Sequence, residues 1–217
     1  MSDFAERRRI MVDTQVRPSD VTKFPIIEAM LTVPRERFVP DALRETAYMG
    51  EHVPLGEGRV VLDPRVLAKM IEAVDIDRDD LVLDIGAGLG YSAAVMARMA
   101  EAVIALEENP EFAKEAERVL GENGADNVAV VEGALADGAA KHGPYDVIIV
   151  EGAAEVIPDA ITSQLKDGGR IVAIFADGRL GTARIGHCFD GAISWRSAFN
   201  ANAPTLPGFE RAREFVF

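Results

Sequence analysis

The stretch Leu81–Ala100, LVLDIGAGLGYSAAVMARMA, decides the fold. An apolar run passes through Asp84 and Ile85, glycines follow at 86, 88 and 90, and a segment of helical composition begins at Tyr91. A strand that turns straight into a helix leaves the first helical amides without partners, aimed at whatever lies above the sheet. Glycine at such a junction supplies positive φ and lets a ligand touch the main chain without meeting a Cβ. Gly86, Ala87, Gly88 and Gly90 are therefore expected to floor a small-molecule site. A tight turn that serves packing alone is the plainer alternative.

Strand and helix alternate on the C-terminal side of this turn. Strands are expected at Leu81–Ile85, Ala102–Glu107, Asn127–Glu132, Tyr145–Glu151 and Arg170–Phe175, with helices near Tyr91–Met99, Pro110–Gly121 and Glu155–Leu165. Nearly continuous apolar runs such as DVIIV and RIVAIF suit parallel strands covered on both faces. Strands separated by helices imply right-handed crossovers and a doubly wound, mostly parallel α/β sheet. In the last segment, ARIGHCF, ISWRSAF and REFVF read as short antiparallel edge strands. The first 75 residues differ: IIEAMLTV has helical spacing, prolines stop it at PRERFVP, and Pro64 opens a further helix at its first turn. One domain over 1–217 is expected, with a helical lid at 1–75, a ligand-binding core at 76–180 and edge strands at 181–217.

Composition bounds the partners. With 48% apolar and 27% charged residues the chain is an ordinary globular mixture, and its net charge of -13 repels phosphate backbones. No nucleic-acid partner is expected. The single cysteine, Cys188, forms no internal disulfide, and no CxxC or His/Cys cluster suggests a metal. The charged N-terminus does not read as a signal peptide, and no run reaches the ~18 apolar residues of a membrane span. The expectation is a cytoplasmic protein without a membrane partner, a monomer or small homo-oligomer.

The ligand follows from the charges around the glycines. G-A-G-L-G is one residue short of the dinucleotide fingerprint G-x-G-x-x-G. The next strand ends in Glu107, at the distance expected of an acid that holds both hydroxyls of an adenosine ribose. Asp84 adds a second carboxylate at the same mouth. Two acids are awkward for a pyrophosphate and suit an ammonium or a sulfonium, which favours S-adenosylmethionine over a nicotinamide dinucleotide.

These residues resemble the protein-L-isoaspartate O-methyltransferase family. VLDIGAGLGYSAAVMA is similar to that family's VLEIGxGxGYxAAxLA, and AMLTVPRERFVP to its A-M-x-x-V-P-R-x-x-F-V-P. AYMGEHVPLGEGRVVLDP stands where the family has A-Y-x-D-x-x-L-P-I-G-x-G-Q-T-I-S-x-P. YDVIIVEGAAEVIPDAITSQLKDGGRIV parallels its P-F-D-x-I-I-V-T-A-A-x-x-x-I-P-x-x-L-x-x-Q-L-K-x-G-G-R-L-V. The resemblance implies a Rossmann-like fold and transfer of a methyl group from S-adenosylmethionine to the α-carboxylate of an isoaspartyl residue, leaving S-adenosylhomocysteine. The substrate is then an isoaspartyl protein or peptide, with an unknown small substrate as the alternative. A binding module that keeps the cofactor without the reaction is the second alternative.

The chain also departs from the family. The serine of T-I-S-x-P, whose hydroxyl lies at the family's reacting centre, is Leu62 and the threonine is Val60; the aspartate after A-Y-x is Gly50. The aspartate of the G-D-G after the third strand is Ala134, and the threonine after the fourth is Glu151. Leucine has no donor for a carboxylate, and burying that charge against Val61 and Leu62 unpartnered costs several kcal/mol. Asp63 is expected to cap the helix at Pro64 rather than to meet substrate. His52 is the histidine on the substrate side that offers a replacement polar group. On the cofactor side, main chain at Ala134 and Leu135 is expected to meet the adenine. Glu151 either meets its amino group or the cofactor ammonium, or faces water.

Overall fold

A computed structural model describes residues 3–177 and 180–211. Its centre is a seven-stranded sheet of β3 (Leu81–Ile85), β4 (Ala102–Glu107), β5 (Val128–Glu132), β6 (Tyr145–Ala154), β7 (Leu165–Asp177), β8 (Leu180–Phe189) and β9 (Ala192–Asn200), ordered β5-β4-β3-β6-β7-β8-β9. The first five in that order pair in parallel; β8 and β9 close the edge antiparallel. Strand order reverses between β3 and β6, and ligands of such sheets bind beyond the carboxyl ends at that reversal. The fold is the expected doubly wound α/β sandwich, with β3 and β4 at the expected bounds.

Alternation of side chains divides the core into two layers. One face of the sheet carries Val82, Val103, Ala105, Val147, Ile149 and Val172, packed under the N-terminal elements and under α4 (Tyr91–Met96) and α5 (Pro110–Glu122). The N-terminal elements are α1 (Phe4–Met11), α2 (Phe24–Thr32), the hairpin β1 (Val53–Gly56) and β2 (Arg59–Val61), and α3 (Pro64–Val74). The opposite face carries Leu83, Ile85, Leu106, Ile148 and Ile171 against Leu135, Ile161, Leu206 and Phe209. The helices α3 and α5 each start at a side-chain cap. Asp63 accepts the amides of Arg65 and Val66 ahead of Pro64, and Asn109 accepts those of Glu111 and Phe112 ahead of Pro110.

Two regions differ from the expectation. The helix expected over 155–165 shrinks to α6 (Asp159–Thr162). Pro158 biases the residue before it away from helix, and the amides of Glu155 and Val156 go to the carbonyl of Phe209 instead. β6 is correspondingly longer, because the C-terminal segment pairs beside its end: Ala153 donates to Pro204, and Leu206 donates back to Ala153. ARIGHCF and ISWRSAF do form antiparallel strands, but only β9 is an edge; β8 is paired on both sides and buries Cys188. REFVF lies outside the described residues.

Candidate active site

Because Asp84 pairs with Ile149 in register, Asp84 and Glu151 point to the same face of β3 and β6. Glu107 follows Val103 and Ala105 on that face of β4. Three buried acids therefore stand in a row at the carboxyl ends of three neighbouring parallel strands, each less than a tenth exposed. The sequence joined Glu107 to the glycines by spacing alone; here the amide of Gly88 donates to Glu107 Oε2 at 2.7 Å.

The turn itself is strained in the way only glycine tolerates. Gly86, Gly88 and Gly90 have φ of 81°, 57° and 91°. A Cβ at Gly90 would lie 3.0 Å from Leu120 of α5, so this glycine sets a close packing of two helices. A Cβ at Gly86 would meet Arg59 Nη2 at 2.9 Å and Leu206 at 3.1 Å, and one at Gly88 would meet Leu55 at 2.7 Å. Around Gly86 and Gly88 the turn is therefore covered by the chain's own side chains.

Arg59 is the residue at this site that the sequence reading did not point to. Its guanidinium binds Glu107 bidentately, at 2.8 and 2.9 Å, and both side chains are buried. Glu107 also accepts the amides of Glu108 and Asn109, each at 3.0 Å. An adenosyl group's elements are thus present as turn and acid, but in this conformation the space over them fits Arg59, Leu55 and Leu206. The signal was there: an arginine in a short strand, at the glutamine of the family's L-P-I-G-x-G-Q-T-I-S.

The other two acids lack a full set of partners. Ser92 donates to Asp84 Oδ2 at 2.7 Å, whereas Asp84 Oδ1 and Glu151 Oε1 have no hydrogen-bond partner among the described residues. Burial pushes the Asp84 carboxyl up to about 7, against the pull of Ser92 and with a further push from Glu107. Burial, then Asp84, raises Glu151 well above the usual carboxylate range. Acid oxygens without a hydrogen-bond partner among the described residues, on one face of neighbouring strands, are chemistry for a cation.

On the acceptor side, Leu62 is fully buried and Val61 nearly so. The carbonyl of Leu62 accepts from Arg35 Nη2 at 2.8 Å; Arg35 Nε serves Ala47, and Nη1 has no hydrogen-bond partner among the described residues. Asp63 is spent on its cap. His52 is no free polar group: Nδ1 accepts the amide of Asp63 and Nε2, which then carries the proton, donates to Asn202, both at 2.8 Å. The ring staples the hairpin to α3 and the C-terminal loop. Ala134 is exposed beside the crevice, while Leu135 is buried in the core. Three cavities of several hundred Å³ or more lie elsewhere, one of about 520 Å³ on the outer face of α5. One of about 1110 Å³, among Phe24, Asp77 and Asp146, opens at the amino ends of the strands, and one of about 470 Å³ lies among Phe175, Arg184 and Trp195. Among the described residues no group of acids, histidines and cysteine is arranged to hold a metal, and no helix is long and apolar enough to cross a membrane.

A glycine turn and a strand-end acid at the reversal of a parallel sheet define the Rossmann-like methyltransferase fold. A solved protein-L-isoaspartate O-methyltransferase, 26% identical, superposes with a TM-score of 0.78 over 94% of this chain and 66% of its own. A putative protein-L-isoaspartate O-methyltransferase from Plasmodium falciparum, solved with S-adenosyl-L-homocysteine and 16% identical, gives 0.79 over 95% and 99% and speaks for the fold alone. Residues 7–184 match the family described as protein-L-isoaspartate(D-aspartate) O-methyltransferase. A protein-L-isoaspartate O-methyltransferase from Ignicoccus hospitalis is 39% identical over 77% of this chain and 81% of its own, and protein-L-isoaspartate O-methyltransferase 2 from Marinobacter nauticus is 40% identical over 78% of each. The chain belongs to the protein-L-isoaspartate O-methyltransferase family.

Proposed function

We propose that this chain is an S-adenosylmethionine-dependent carboxyl O-methyltransferase of the protein-repair kind, acting in the cytoplasm on isoaspartyl proteins and peptides. The observation that carries the reading is the bond from Gly88 to Glu107, which joins the glycine turn and the strand-end acid into one site at the strand reversal. In this reading Glu107 is the ribose acid, and Asp84 and Glu151 face the cationic end of the cofactor. Main chain at Ala134 serves the adenine.

A carboxylate acceptor is already ionised at neutral pH and needs no general base. The protein's part is to orient it and to exclude water. Leu62 orients nothing, and the cation bonded at that position is Arg35, which lies over the Tyr91 ring and whose Nη1 has no hydrogen-bond partner among the described residues. Labelled methyl transfer to an isoaspartyl peptide, beside its aspartyl isomer, tests the reading: transfer to the first and not the second is expected. Cofactor uptake with no transfer to either favours the second reading, a remodelled acceptor site, which rests on Leu62 and Glu151 in place of serine and threonine.

A further inference from the structure

Arg59 opens β2 after the two-residue turn Glu57–Gly58, both residues at positive φ, the signature of a tight hairpin whose twist suits its strands. The hairpin sets Arg59 against Glu107. Counting Arg59 Nη1 and Nη2, Gly88, Glu108 and Asn109, five N–H groups converge on that one carboxylate. A carboxylate has about four lone-pair directions, so none is left for a further donor. A ribose diol approaches a carboxylate as a two-pronged donor, and a guanidinium is a rigid two-pronged donor.

Charge makes the same match. Arg59 is ion-paired with Glu107 and also pulls against the burial that raises Asp84, while of the two cations Glu151 feels Arg35 first and Arg59 second. One side chain thus supplies both the donor fork and the positive charge that an adenosyl sulfonium would bring. The shape agrees as well, since Arg59 and Leu55 sit against the ligand-facing sides of Gly86 and Gly88. Beyond this, the hairpin tip is tied by an exposed bond from Asn109 Nδ2 to Glu57.

We propose that Arg59 is a built-in competitor for the nucleoside position: its guanidinium occupies Glu107 where the ribose would bind, and ligand enters only when the hairpin lifts it away. The inference rests on the reading of Glu107 as the ribose acid. A two-stranded hairpin is marginally stable by itself, which makes it the element able to lift. The apparent affinity of the site then falls by the fraction of molecules that are open.

Calorimetric titration of the full chain with S-adenosylhomocysteine, comparing wild type, Arg59→Lys and Arg59→Gln, tests the proposal. Arg59→Gln removes the charge and the fork and is expected to bind at least tenfold tighter than wild type. Arg59→Lys keeps the charge but loses the fork, and is expected between the two, about threefold tighter than wild type; it carries the test alone should the glutamine variant not fold. Wild-type binding within twofold of the folded variants overturns the proposal. So does a folded Arg59→Gln protein that takes up no ligand. If Arg59→Gln binds tightly yet methylates no isoaspartyl peptide, the competitor stands and the carboxyl-methyltransferase reading falls.

Discussion

Asp84 and Glu151 lie on the same face of adjacent parallel strands, both closed off from solvent, and each keeps one carboxylate oxygen without a hydrogen-bond partner among the described residues. Folding holds the Asp84 proton up to about pH 7, whereas an unfolded aspartate loses it near 4. The folded state therefore binds more protons between those values, and this contribution to stability is complete below about pH 4 and is lost as pH rises through 7. Asp84→Asn cannot titrate and can still accept from Ser92. Relative to wild type it is expected to gain stability between pH 5 and pH 8, on the order of 1–3 kcal/mol. Urea midpoints at the two pH values measure this, and parallel curves for the two proteins would count against the assignment.

The Arg59–Glu107 pair makes an asymmetric prediction. Removing the arginine leaves Glu107 with three backbone amides, so its charge stays hydrogen-bonded. Glu107→Gln instead turns an N–H group toward donors and strips Arg59 of its bidentate partner. Breaking a buried pair from that side costs about 3–5 kcal/mol. Chemical denaturation is expected to show Glu107→Gln losing more than Arg59→Gln. Equal losses would mean that the backbone amides do little for the acid.

Gly90 isolates the packing role of the turn from any ligand role. Its φ of 91° and the approach of Leu120 at 3.0 Å both resist a Cβ. Gly90→Ala is expected to cost about 1–3 kcal/mol, the range of a strained left-handed residue, and to lower the melting temperature with no ligand present. An unshifted melting curve would show that α4 and α5 move apart freely.

The sheet was legible because parallel strands buried on both faces are written as unbroken apolar runs, and β3 and β4 need nothing else. The helix after β6 was misjudged because Pro158 and the distant carbonyl of Phe209 outweigh local composition there. The acids of the site were legible for the same reason as the strands: each ends or interrupts an apolar run. Arg59 was not, since its meaning lies in a contact 48 residues along the chain, and no periodicity in a three-residue strand points across the fold. His52 offered the reverse case, a polar residue that looked free until Asp63 and Asn202 took both ring nitrogens.

Leu62→Ser tests the acceptor side with two opposed readouts. Leu62 is among the largest fully buried side chains, so truncating it removes apolar contact and leaves a cavity, a change that costs about 2–5 kcal/mol in comparable cores. The same change places a hydroxyl beside the Leu62 carbonyl that Arg35 holds, where a carboxylate acceptor has lacked a donor. Stability is therefore expected to fall while isoaspartyl methyl transfer per folded molecule rises, because orientation and not proton transfer limits attack by a carboxylate. Tracer incorporation at a temperature well below the variant's melting point separates the two effects. If the rate per folded molecule stays level, the hydroxyl has no acceptor to orient, and the substrate of this chain is something other than a carboxylate at that position.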